Sequence, residues 1–309
     1  MGEPLVSVVI PTFNRAAVVA DAVASVLRQG IAAVEIIVVD DGSNDGTREA
    51  LAAHAGRIRY VRQDHQGAGA ARNRGVALAR GALVSFLDSD DVWLAGKTAA
   101  ELALLERHPR VEAVISDSEI WHEESLVAAS RFALFGFELP AGRDPLLVAD
   151  CPPLWARQSL FSTCCLTIRR EALARLGAPP FDPRLRSHED WDLEVRMYHL
   201  CRVAIMPLVL ARVRRFEDGT RAGRASDREQ LRIQYDTLGR VRALPPLSRE
   251  ITAQVAARRR GLALRLAASS TGWRRAGCVP LAAAELRAGA WHNALRVLGL
   301  GVRPARDPA

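Results

Sequence analysis

No apolar stretch in this sequence approaches the ~18 residues needed to cross a bilayer. The opening residues, MGEPLVSVVIP, run directly into a strand pattern, with no basic leader region and no small-residue cleavage site. Position six is Val6 where a myristoylation signal needs Ser or Thr. The expectation is therefore a cytoplasmic protein, at most peripheral at the inner face of a membrane. The five cysteines (Cys151, Cys164, Cys165, Cys201, Cys278) are odd in number and lack metal-ligand spacing. Cys164 and Cys165, in the apolar run FSTCCLTI, are expected as buried free thiols that behave as small hydrophobes. No fixed-period repeat is present, which excludes a solenoid or propeller. Lysine is absent after residue 201.

What is there divides unevenly. Residues 1–201 carry 21 basic and 27 acidic side chains, a net of −6, whereas residues 202–309 carry 21 arginines and 8 acids, a net of +13. The front part reads as an enzyme with a carboxylate-rich site. The back part reads as a helical layer with an Arg face, or as a segment that meets an anionic surface. Four short apolar runs open the chain: LVSVVIP (5–11), VEIIVVD (34–40), IRYVRQ (58–63) and ALVSFLD (82–88). Helical patterns lie between them, over 15–29, after Asp45 and after Gly67. Strands that alternate with helices and read as continuous Val/Ile runs predict a mostly parallel sheet covered on both faces. Further on, the pattern predicts a helix over 96–107, strands over 111–116 and 161–168, and helices over 170–176 and from Ser187. Loops are expected at 136–153 and 177–183, and an Ala/Leu/Arg-rich helical region from 224. The domains are expected at 1–220 and 221–309.

Ligands of such sheets bind beyond the carboxyl ends of the strands, and polar residues gather there. Asp88-Ser89-Asp90, with Asp91, concentrates like charge at the end of a buried strand. A hard divalent cation would relieve it, because Mg²⁺ is typically held by one or two carboxylates plus substrate phosphates. The plainer alternative is a strand-end turn, with Asp91 capping the following helix. VVDDGSNDGT (38–47) combines turn chemistry with a carboxylate that faces a ligand. GAGAARNRG (67–75) opens a helix with small residues that admit a phosphate or base, and Arg72 and Arg74 are its informative members. SHEDWDL (187–193) places four ionisable groups at a helix start, more than capping and the helix dipole require.

In order, VSVVIPTFNR, VEIIVVDDGSNDGT, GAGAARNRG, LVSFLDSDDVW and RLRSHEDWDLEVRM resemble glycosyltransferase family 2, over about residues 5–215. The resemblance implies an α/β fold of the GT-A type: a Rossmann-like, mostly parallel sheet flanked by helices, here with an Arg/Ala/Leu-rich helical extension. It implies an inverting transferase that uses a nucleotide diphosphate sugar, most commonly a UDP-sugar, with Mn²⁺ or Mg²⁺ as cofactor. Pro11, Thr12 and Phe13 would form the nucleotide-pocket wall. Asp41, with Asp40 beside it, would meet the base, Arg72 would lie near base and ribose, and Ser89 would contact the nucleotide. Asp88 and Asp90 would hold the metal, Asp90 the more directly. Asp190 would be the general base, with Glu189 a second catalytic candidate.

The chain departs from the family in two places. Ala95-Gly96-Lys97 replaces the usual Pro and basic residue after the acidic run, and RVRRFEDGT (212–220) lacks the His many members place after the last strand. Arg214 or Arg215 would then neutralise the diphosphate. Two other readings have less support. A nucleotidyltransferase would need a Gly-rich phosphate loop where Pro11-Thr12-Phe13-Asn14 stands. An Arg-rich nucleic-acid or scaffold protein would need its basic residues to line one face, so no nucleic-acid partner is expected. A nucleotide-sugar-binding homologue without transferase activity is the remaining alternative. The acceptor stays open, and the basic extension is assigned to acceptor capture, anionic membrane contact or self-association.

Overall fold

The computed structural model describes residues 5–137, 146–147, 162–185, 187–216, 227–241 and 249–268. Cys151 and Cys278 lie outside them, as does most of the loop at 136–153. The chain divides into two compact units, residues 1–224 and 225–309.

The first unit is built on a ten-stranded sheet in which β3 (Arg59–Arg62), β2 (Val34–Asp40), β1 (Val6–Thr12) and β4 (Leu83–Phe86) lie side by side in that order. All four run parallel. β9 (Leu166–Arg169) then enters antiparallel between β4 and β6 (Ala113–His122). β10 (Val203–Arg215) runs parallel to β6 and carries β5 (Val92–Trp93) and β8 (Leu146–Leu147) on its outer edge. β7 (Ser125–Ala128) folds back on β6 as a hairpin. The expected mostly parallel sheet is therefore present, with antiparallel strands in its second half.

β1 is buried along all seven residues and forms the centre of the parallel half. Its register sets Thr12 against Asp40 of β2, while β4 pairs with it only as far as Val9. In a parallel pair alternate residues turn their N–H and C=O to opposite neighbours. Val9 O accepts from Leu87 N on the β4 side, so Pro11 faces that side too, past the point where β4 ends. Its missing donor costs no ladder bond there. The carboxyl ends of β1, β2 and β4 thus release Thr12-Phe13, Asp41 and Asp88 along one edge.

Helices cover the parallel half as the apolar periodicity requires. α1 (Val19–Leu27) buries Val19, Ala22, Val23 and Val26. α2 (Thr47–Ala50) is a single turn, and α3 (Ala68–Leu78) lies on β1 and β2. A Cβ on Gly75 of α3 would stand 2.2 Å from Val9 Cγ1, so glycine there lets helix and sheet approach. α4 (Lys97–Arg107) begins after left-handed Gly96. Its Lys97 is fully buried, ion-paired to Glu101 and 4.8 Å from the Trp93 ring centre. Short α5 (Arg131–Leu134), α6 (Arg170–Arg175) and the acidic-fronted α7 (Glu189–Leu200) complete the unit. Cys164 and Cys165 are buried free thiols, as expected. In the second unit α8 (Asp227–Val241) packs on α9 (Arg249–Ala268), with the Arg259 guanidinium 4.2 Å from the Tyr235 ring centre. No helix among the described residues is long and apolar enough to cross a membrane.

Candidate active site

A cleft of about 670 Å³ opens at the carboxyl edge of β1, β2 and β4. Its lining includes Pro11, Thr12, Phe13, Asp41, Arg72, Asp88, Ser89, Asp90 and Glu189, nine of the eleven residues picked out from sequence. Asp40 and Asp190 are not among the lining residues.

Asp40 is fully buried. Its carboxylate accepts from Ser43 N at 2.8 Å and from the Tyr60 hydroxyl, with Arg62 at 3.7 Å. Burial and that carboxylate push the Tyr60 phenol up to about 12. Asp40 thus holds the turn that presents its neighbour. Asp41 faces the cleft and gathers the β3–α3 loop: Gln63 Nε2 (2.8 Å), Gln66 N (2.9 Å) and Gly67 N (2.7 Å) donate to it, with His65 Nδ1 at 2.8 Å. The His65 ring stacks on Phe13 with centroids 4.1 Å apart, forming one wall of the cleft. Thr12 Oγ1 is buried beside it without a partner. The rest of DDGSNDGT does turn work: Ser43 Oγ accepts from Asn14 N, and Asp45 accepts from Ala16 N and Thr47 N.

Arg72 projects from α3 into the cleft floor. It donates to Asp88 Oδ1 at 2.7 Å and to Glu189 Oε1 at 2.8 Å, and its guanidinium lies 5.5 Å from the Phe181 ring centre. Burial alone would lower its pKa, but Asp88, Glu189 and Asp190 outweigh burial and raise it. Gly69, one turn earlier on α3, leaves room for Glu189, since a Cβ there would come within 3.3 Å of Glu189 Cγ. Gly75 and Gly69 of GAGAARNRG therefore admit protein neighbours, Val9 and Glu189, while Gly67, Ala68, Gly69, Ala70 and Ala71 line the cleft. Arg74 is exposed and is not among the lining residues.

Asp88 Oδ2 accepts from Thr163 Oγ1 at 3.0 Å. Asp90 meets Arg15 at 3.4 Å and keeps 29% of its side chain exposed. Burial and the Asp88 carboxylate raise the Asp90 pKa from its ordinary value, with Arg15 opposing. Asp91 caps no helix, contrary to expectation. It is buried and accepts from Arg214 N at 3.0 Å, because the chain enters β5 before α4 begins. Arg214 lies within β10 and is likewise not among the lining residues. It donates to Asp90 O and to Asp21, bracing the acidic loop from behind.

Among the described residues no group of three metal-ligating side chains converges. The donor set present is two carboxylates on one loop, Asp88 and Asp90, opening on a cleft large enough for a diphosphate. That is the set expected where Mn²⁺ or Mg²⁺ takes its other ligands from substrate phosphates and water, so the residues fit such an ion.

At the start of α7, left-handed His188 precedes Glu189. Asp190 is half-buried and accepts from Trp191 N at 2.7 Å. Burial and the Glu189 carboxylate push its pKa up to about 6, with Arg72 opposing. Asp192 turns inward to Arg196 at 2.7 Å, and Arg196 ties down the Leu176 and Pro180 carbonyls, so Asp192 is structural. Sequence reasoning missed His65, Arg15 and Thr163. His65 ends the third strand's loop, where the strand-end rule applied to the other strands would have found it. Thr163 reaches Asp88 across 75 residues and leaves no local signal.

This fold defines an α/β protein of the GT-A kind. Residues 7–176 match the model of glycosyl transferase family 2, and the chain belongs to that family. It is 33% identical over 129 residues to an Escherichia coli UDP-Glc:alpha-D-GlcNAc-diphosphoundecaprenol beta-1,3-glucosyltransferase, WfgD, covering 41% of this chain and 51% of that one. It is 41% identical over 107 residues to the putative teichuronic acid biosynthesis glycosyltransferase TuaG of Bacillus subtilis, covering 33% and 42%. The chain thus spans about half the length of these relatives. Among solved structures, S. aureus TarS residues 1–349 with UDP superposes at a TM-score of 0.65, with 15% identity over 98% of this chain and 94% of that one. The mannosyltransferase PcManGT of Pyrobaculum calidifontis, with GDP-Man and Mn²⁺, gives 0.60 and 19% identity over 97% and 80%.

Proposed function

We propose that the protein transfers a sugar from a nucleotide diphosphate donor to an acceptor hydroxyl with inversion, in one displacement. The observation that carries this reading is the convergence of three side-chain sets on one cleft. Phe13, His65 and Asp41 form a wall fit for a base, Asp88 and Asp90 form an acidic loop, and Glu189 reaches the cleft from the first turn of α7, with Asp190 next to it in the chain.

The base and ribose lie against Pro11, Thr12 and Phe13, placing the diphosphate over Asp88-Ser89-Asp90. Asp90, with Asp88, holds the divalent ion, whose chemistry when bound is to neutralise charge on the leaving diphosphate. Arg15 adds a fixed positive charge beside Asp90. Asp190 takes the proton of the acceptor hydroxyl as its oxygen bonds to the anomeric carbon. The bond to the diphosphate breaks on the opposite side, and its electron pair leaves with the nucleotide. A carboxyl raised to about 6 suits this task, being ionised at neutral pH yet more basic than an ordinary carboxylate. No second nucleophile is needed, so an α-linked donor gives a β-linked product.

UDP is the nucleotide the relatives favour: UDP-Glc stands in the name of the E. coli enzyme, and UDP occupies the TarS structure. The same E. coli name directs the acceptor search first to a sugar hydroxyl. A thermal-shift panel of UDP-, GDP- and dTDP-sugars with Mn²⁺ tests the reading, because a ligand that binds the native state stabilises it. UDP-sugars should give the largest metal-dependent shift. A larger shift with GDP-sugars would reassign the donor, and no shift with any of them would remove the reading.

A further inference from the structure

Arg72 is 5% exposed, and its guanidinium joins two carboxylates from different parts of the chain. Nη2 holds Asp88 of the acidic loop and Nη1 holds Glu189 of α7, while Nε is buried without a partner. Asp88 is therefore occupied on both oxygens, Oδ1 by Arg72 and Oδ2 by Thr163. Asp90, by contrast, meets Arg15 at the longer distance of 3.4 Å. An incoming divalent ion meets one carboxylate loosely paired with Arg15 and one held closely on both oxygens by Arg72 and Thr163. Arginine does not deprotonate in proteins, so this competition persists at every working pH. Its strength depends on how the guanidinium divides itself between Asp88 and Glu189.

We propose that Arg72 is a tethered counter-cation that competes with the divalent ion for Asp88 and, through Glu189, couples ion entry to the placement of α7. The inference rests on the reading that Asp88 and Asp90 hold the ion. As the ion draws on the charge of Asp88, Arg72 is left to Glu189, and that pair tightens. The first turn of α7 is then fixed, with Asp190 one residue beyond Glu189. Coupling between two sites is reciprocal, so Glu189 must also loosen Arg72 from Asp88 and favour the ion. Arg72 and Glu189 are positioning residues in this scheme. It gives the donor side a means of readying the acceptor side without direct contact.

The test is Mn²⁺ alone, titrated into the full chain and followed by electron paramagnetic resonance of the free ion. Arg72→Met should bind Mn²⁺ roughly tenfold more tightly than wild type, and Glu189→Gln about threefold more weakly. Both signs would also follow from simple long-range electrostatics, so the double variant decides. If Glu189 acts through Arg72, adding Glu189→Gln to Arg72→Met changes affinity no further. Additive effects overturn the proposal, as does a loss of affinity in both single variants. Asp90→Ala separates the two layers of the argument. If it abolishes Mn²⁺ binding while Arg72→Met leaves affinity unchanged, only the counter-cation fails; wild-type binding by Asp90→Ala removes the ion assignment and the proposal with it. Should Arg72→Met not fold, hydrogen exchange replaces the cycle. Amides 189–192 must gain protection on adding Mn²⁺ to the wild type, and that gain must vanish in Glu189→Gln. Equal gains in both proteins overturn the coupling.

Discussion

In the proposed mechanism, Asp190 joins a catalytic role and a stability cost in one residue. Its folded pKa, about 6, lies above the ordinary aspartate value of 3.8. The folded protein therefore holds this proton more tightly than the unfolded chain does. Stability linked to the group is fully present below the unfolded pKa and is lost as pH rises through the folded one. At neutral pH the ionised carboxylate costs about 1–3 kcal/mol. Asp190→Asn keeps the acceptor for Trp191 N but removes the charge. It should raise Tm by a few degrees at pH 7.5 and by nothing near pH 4, as read by thermal unfolding at both values. The same variant should lower turnover by roughly 10² or more, with nucleotide affinity nearly unchanged, while Glu189→Gln costs less. In the wild type, activity should fall on the acid side with a midpoint close to the raised pKa. An Asp190→Asn enzyme that turns over normally would overturn the mechanism and leave the fold untouched. Among single residues, sequence alone singled out carboxylates crowded at a strand end, Asp88, Asp90 and the Asp40-Asp41 pair, and those crowded at a helix start, Glu189-Asp190. It could not separate Asp40 from Asp41, because their difference is the direction each side chain takes from one strand terminus.

At the scale of elements, the packing of α3 on β1 places the cleft floor. Gly75 lets the helix lie against Val9, and Arg72, nearly one turn earlier, takes its place in the floor as a result. Gly75→Ala should destabilise the protein by about 1–3 kcal/mol, since a Cβ at 2.2 Å forces helix and strand apart. Val9→Ala in the same chain should restore part of that loss, because it removes the methyl groups that clash. Chemical denaturation of the four proteins of the cycle measures the coupling; additive losses would place the clash elsewhere. Periodicity made β1, β2, β4 and α1 legible, since each buries an apolar run or stripe, whereas β3 is only half-buried and α3 buries Gly69, Ala71, Arg72 and Gly75. It missed β10, of thirteen residues, and also β5 and β7, of two and four residues, which are held by pairing with β10 and β6 and carry no period of their own. It also hid the strand that replaces a helix cap after Asp91.

For the whole molecule, residues 1–224 carry the cleft and are net −2, with 27 basic and 29 acidic side chains, whereas residues 225–309 carry 15 arginines and 6 acids, a net of +9. We assign the basic segment a role outside the chemistry, in acceptor capture, anionic membrane contact or self-association. A chain ending at Arg224, the last residue of the first compact unit, should keep slow metal-dependent donor hydrolysis and lose most transfer to acceptor. Full transfer by that shortened chain would remove the assignment. The order of five motifs made the family legible before any contact was known. The basic segment offered composition alone, and composition does not select a partner.

The central claim is that a nucleotide sugar is broken at Asp88-Ser89-Asp90 with help from a divalent ion. Its most direct test is the rate of UDP release from UDP-sugars, with and without Mn²⁺, in the wild type and in Asp90→Ala. The account predicts release that requires Mn²⁺ and is lost in Asp90→Ala. Release by Asp90→Ala at the wild-type rate in Mn²⁺ would contradict it.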